Sequence, residues 1–76
     1  MSPRLPRITA AQLLAALRRD GWEPIRHTGG HVQLCHPTKS GRVTVAMHAA
    51  RVINPKTLLS ALRQAGLTID QLRELL

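Results

Sequence analysis

Residues 22–47, WEPIRHTGGHVQLCHPTKSGRVTVAM, decide the fold. Three short runs rich in β-formers, Trp22 to His27, His31 to His36 and Arg42 to Met47, are separated by Gly29-Gly30 and by Pro37 to Gly41. Glycine and proline clusters between such runs are turn chemistry, so the stretch predicts an antiparallel meander. In the second run Val32 and Leu34 alternate with His31, Gln33 and Cys35; in the third, Val43, Val45 and Met47 alternate with Arg42, Thr44, Ala46 and His48. A period of two gives each strand an apolar face for helices and a more polar face outward.

On either side of the meander the period changes. Thr9 followed by Gln12 makes a capping box, with Ile8 and Leu13 as its hydrophobic staple. A helix is predicted from about Thr9 to Asp20 through Ala10, Leu13, Leu14 and Leu17, with Gly21 as its left-handed stop. After a connection at Ala49 to Val52, Asn54 as cap and Pro55 at the first helical position open a second helix that Gly66 closes. Thr68 with Gln71 repeats the capping box and starts a short last helix to Leu76. The expected class is α+β, a three-stranded antiparallel sheet with helices on one face, in the order αβββαα.

A chain of 76 residues supports one core and not two. The expected organisation is a loose basic leader over 1–7, which holds Pro3 and Pro6, and a single domain over 8–76. With Trp22 as the one aromatic residue, the core must be built mainly from Leu, Val, Ile, Ala and Met.

Eleven Lys and Arg against four Asp and Glu give a formal charge of +7. No acidic residue occurs between Pro24 and Ile69, where Arg26, Lys39, Arg42, Arg51, Lys56 and Arg63 all fall. Such a field favours an anionic partner and salt-sensitive binding. No helix combines a basic face with large apolar residues as a membrane-surface helix would. The scarcity of aromatics argues against base stacking on a sheet, which leaves phosphate and ribose as the contacts. One cysteine, Cys35, forms no internal disulfide, and the N-terminus has no apolar stretch of a signal peptide. The cytoplasm is the expected compartment, and Cys35 is expected as a small buried or half-buried residue.

Chemistry must come from the histidines. His27, His31, His36 and His48 are spaced by four, five and twelve residues, which matches no familiar metal-ligand pattern, so neither a metal nor another cofactor is expected. His27 and His36 read as decoration of a solvated strand face. His31 differs because Gly29-Gly30 precedes it. Two residues without side chains let a phosphate approach the backbone and free the turn to take positive φ. An imidazole there exchanges protons near neutral pH, as cleavage of RNA by its own 2′-hydroxyl requires. Gly-Gly before a strand is also an ordinary turn, and the residues alone leave both readings open.

The run Gly21-Trp22 through Arg26-His27-Thr28-Gly29-Gly30-His31, then Cys35-His36-Pro37, Arg42-Val43-Thr44-Val45, and Thr57-Leu58-Leu59 through Gln64-Ala65-Gly66-Leu67 resembles the HicA toxin family over nearly the whole chain after Ile8. The resemblance implies a fold like the double-stranded RNA-binding domain, endoribonuclease activity on mRNA, and inhibition by a HicB-type antitoxin. It puts the family's single catalytic histidine on His31. The small residue before that histidine is typically Ser in the family and is Gly30 here; the proline often found after the third strand's Val-Thr-Val is Ala46 here. His48 falls where the family often carries His, in a supporting role on phosphate. The RNA-contacting set expected around His31 is then Gly29 and Gly30 through their backbone amides, with Arg26, Lys39, Arg42 and His48. The alternative is a non-catalytic RNA-binding module of the same fold, in which His31 is one contact among several.

Overall fold

The structure, a computed structural model, describes residues 4–47 and 51–76. Helix α1 spans Ala10–Arg19 and begins as its sequence dictates. The Gln12 backbone N–H donates to Thr9 Oγ1 (3.3 Å) and the Thr9 N–H donates to Gln12 Oε1 (2.8 Å), so two otherwise orphaned donors are satisfied. The helix buries Ala10, Leu13, Ala16 and Leu17. It stops at Gly21, whose φ of +105° suits a residue without Cβ.

Strands β1 (Glu23–Thr28), β2 (His31–Cys35) and β3 (Val43–Ala46) form an antiparallel sheet in the order β1-β2-β3. Val32 and Leu34 of β2 and Val43 and Val45 of β3 are buried beneath the helices, as their alternation predicts. β1 departs from that expectation, because every one of its residues is exposed and Ile25 is half exposed. Its register slips between Pro24 and Arg26, a bulge that breaks the period of two. The helices pack chiefly on β3, which leaves β1 as the outlying strand.

Helix α2 (Pro55–Ala65) starts at Asn54, whose Oδ1 accepts the Lys56 N–H (2.9 Å), and ends at Gly66 in the left-handed region. From its last turns Gln64 accepts the Thr44 N–H (3.1 Å) and so caps the outer edge of β3. Helix α3 (Ile69–Leu75) repeats the Thr68–Gln71 capping box and buries Leu72. The element order is αβββαα, as expected, and the layout is consistent with a double-stranded RNA-binding-domain-like fold.

One cluster of buried residues joins all three helices to β2 and β3. Its largest member is Trp22, fully buried just before β1. The core is therefore built around the single aromatic as well as the aliphatics. Its Nε1 is the one buried side-chain polar atom found without a partner among the described residues. From Arg4 onward the N-terminal segment touches the rest of the domain. Leu5 packs on the core, Arg73 donates to the Arg4 carbonyl, and the Ile53 N–H donates to the Ile8 carbonyl (2.8 Å). No helix among the described residues is long and apolar enough to cross a membrane.

Candidate active site

The β1–β2 connection is a two-residue hairpin loop. Thr28 pairs with His31, and the residues between them, Gly29 and Gly30, have φ of +56° and +81°. Positive φ at both central positions is the signature of the type I′ turn, whose twist matches that of the flanking strands. Backbone geometry thus accounts for both glycines. A Cβ on either would meet no atom within 4 Å, so the space over the turn is open to a ligand as well. The turn is tied down from the far side, where the Met47 N–H donates to the Gly30 carbonyl (2.7 Å).

His31 therefore starts β2 on a pinned hairpin. Its neighbour Val32 is buried, while the His31 ring is exposed on the sheet face turned away from the helices. Nδ1 lies 3.3 Å from the Gly29 carbonyl oxygen. A carbonyl can only accept, so this contact favours the tautomer with the proton on Nδ1 and leaves Nε2 as a free acceptor pointing outward.

Residues directly opposite one another in a sheet share a face. The pairs Thr28–His31, His31–Ala46, Arg26–Gln33 and Gln33–Thr44 accordingly place Arg26, Thr28, Gln33 and Thr44 on the face of His31. Arg42, just before β3, joins them by donating from Nη1 to Gln33 Oε1 (3.3 Å). Gln33 was not singled out from the sequence, although its place two residues after His31 on β2 is the local signal that would have found it.

Other expected participants lie elsewhere. Lys39 is half-buried, with its Nζ 2.7 Å from Asp20 Oδ2 and 3.0 Å from the Ala65 carbonyl oxygen. These contacts join the β2–β3 loop to the C-terminal ends of α1 and α2. The Lys39 ammonium is thus engaged with the ends of both helices while about a third of its side chain stays exposed. His27 pairs with Val32 and so lies on the opposite face from His31, exposed.

His36 is not surface decoration. Its Nδ1 accepts the Thr38 and Lys39 backbone N–H groups (3.1 Å each), which assigns the proton to Nε2, the donor to the Asp20 carbonyl (2.7 Å). Its ring meets Trp22 edge-on at 5.2 Å. His48 lies outside the described residues. Among the described residues no three His, Cys, Asp or Glu side chains gather as metal ligands, and Cys35 is half-buried and unpaired. A cleft of about 420 Å³ between Leu5 and Leu58 is lined by none of the expected site residues.

Fold and site together define a small basic αβββαα domain that presents one imidazole on an open, cationic sheet face. The chain belongs to the family described as HicA toxin of bacterial toxin-antitoxin, which it matches over residues 10–67. The matched span runs from α1 through α2 and contains the hairpin, His31, Gln33 and Arg42. The protein is accordingly a toxin of a toxin–antitoxin system, with an antitoxin as its partner. No curated protein shows significant similarity to it.

Proposed function

We propose that this toxin is an endoribonuclease that cleaves mRNA through His31 in the cytoplasm and is silenced by a HicB-type antitoxin. The observation that carries the reading is the His31 ring, exposed on a rigid hairpin with Nδ1 turned to the Gly29 carbonyl and Nε2 facing solvent. A neutral Nε2 held this way takes the proton from a ribose 2′-hydroxyl. The 2′-oxygen attacks the adjacent phosphorus, the bond to the 5′-oxygen breaks, and the leaving oxygen receives a proton from the imidazolium or from water. The products are a 2′,3′-cyclic phosphate and a 5′-hydroxyl. Every atom balances without a metal or another cofactor.

Attack in line with the leaving oxygen requires a nucleotide that can splay away from its neighbours, which single-stranded segments allow. The open space over Gly29 and Gly30 admits the phosphate to the turn, and Arg26 and Arg42 supply cationic contacts. His48 keeps its expected supporting role on phosphate. The His31 face is open, so inhibition is best achieved by a partner that covers it. An acidic surface on that antitoxin would complement the charge of +7 and speed association.

The test is growth. Cells expressing the chain without antitoxin should arrest, with mRNA fragments ending in 2′,3′-cyclic phosphates, and cells expressing His31→Ala should grow. Arrest by both forms, with no cyclic phosphate ends, would refute the assignment.

A further inference from the structure

The sheet face beside His31 has an internal order that a general cationic surface would lack. Same-face residues along a strand are about 7 Å apart, so Gln33 follows His31 at that distance on β2. Arg42 stands opposite Cys35, one step beyond the paired Leu34 and Val43, yet its guanidinium reaches diagonally back to Gln33 Oε1 (3.3 Å). Across β1, Arg26 pairs with Gln33 directly. One guanidinium thus bonds the Gln33 amide and Arg26 stands beside it on the neighbouring strand, so the three residues share a single row that stops short of His31.

An Arg–carboxylate pair would cancel this charge, and none is made. Among the described residues the one ion pair is Lys39–Asp20, remote from the row. Arg42 uses one of its five donors on Gln33, and Gln33 in accepting that bond keeps its amide NH₂ as a donor. Both arginines and the amide can therefore donate to the same anion. Beyond the row, Glu23 pairs with Cys35 on the same face and sets a carboxylate at its end.

We infer that Gln33, Arg42 and Arg26 form a subsite for the phosphate next to the one on which His31 acts, on a single-stranded RNA backbone laid along β2. The inference rests on the ribonuclease reading for the role of His31, but the subsite itself is a binding property. The row lies too far along the strand to neutralise the reacting phosphate, so it positions the chain. Its donors recognise phosphate oxygens and not base edges, which makes the contact indifferent to sequence. Glu23 ends the cationic track after that one neighbouring phosphate.

The experiment uses the full chain and short RNAs with a 2′-O-methyl group at the cleavage position, so that binding is read without reaction. One probe is a dinucleotide with a single internal phosphate, and two others add a terminal phosphate on the 5′ or the 3′ side. One of the added phosphates should raise affinity about tenfold, the size of a charge-assisted contact. Arg42→Ala and Gln33→Ala should each reduce that advantage to about twofold, with folding checked by circular dichroism. The unmethylated forms of the same RNAs report cleavage in parallel. An added phosphate that gives no advantage, or one whose advantage survives both substitutions, overturns the subsite. If the advantage appears and falls as expected while the unmethylated RNAs stay intact, the subsite stands and the ribonuclease reading fails.

Discussion

Replacing His36 with alanine separates a histidine that holds the fold from one that does chemistry. The substitution removes the donor to the Asp20 carbonyl and the acceptor of the Lys39 N–H, both partly buried, together with the edge-on contact to Trp22. Net contributions of about 1 kcal/mol for each of the two partly buried hydrogen bonds and about 0.5–1.5 kcal/mol for the ring pair give a loss of about 2.5–3.5 kcal/mol. The exposed Thr38 N–H transfers to water and adds little. For a domain of this size the loss lowers Tm by about 10–28 °C.

Gly21 provides an internal control. A Cβ at Gly21 would stand 2.7 Å from His36 Nε2 as well as straining a φ of +105°. Gly21→Ala should therefore cost less in a His36→Ala background than in the parent, because the clash is gone and only backbone strain remains. Thermal and urea unfolding of the four proteins closes the cycle. A His36→Ala protein as stable as the parent, or single effects that add within about 0.5 kcal/mol, would refute the assignment of His36 as the clasp of this corner.

Other outcomes follow from the same geometry. Lys39→Met should cost about 1 kcal/mol in stability, because Asp20 can rehydrate, and should leave the salt dependence of RNA binding unchanged. Arg42→Ala should instead lower the slope of log affinity against log salt by about 0.7 to 1; equal slopes for the two variants would return Lys39 to the RNA surface. Gly30→Ser, which introduces the family's usual residue, should lower stability by about 1 kcal/mol, since its φ of +81° disfavours a side chain although the space around it is open. An increase in Tm would show that the turn is not held as described. Cleavage should proceed at an unchanged rate in excess chelator, and a rate that collapses and is restored by a divalent ion would exclude a mechanism resting on His31 alone.

The parts of this fold set by local chemistry were legible from the sequence. The Thr9–Gln12 and Thr68–Gln71 boxes and the Asn54-Pro55 start are where side chain and backbone meet within four residues. The inner faces of β2 and β3 followed from simple alternation. β1 was harder, because its bulge breaks the period and no helix covers it, so nothing in its burial follows a pattern. The fold contacts of Lys39 and His36 were not legible for a shared reason. Their partners at Asp20 lie 19 and 16 residues away, and a contact closed by tertiary folding leaves no trace in local spacing. Gln33 shares the face of His31 by simple alternation, but its neighbours Arg26 and Arg42 come only with the strand register, which local spacing does not carry.

The central claim is that His31 performs the reaction, and single-turnover cleavage of a labelled RNA by His31→Ala tests it most directly. His31 is exposed and faces away from the core, so its loss should leave circular dichroism and Tm close to those of the parent, within about 0.5 kcal/mol of stability. RNA affinity should persist, because Arg26 and Arg42 remain, while the cleavage rate should fall by about 10² to 10⁴, the usual contribution of a general acid–base group. A purified, folded His31→Ala protein that cleaves as fast as the parent would contradict the account.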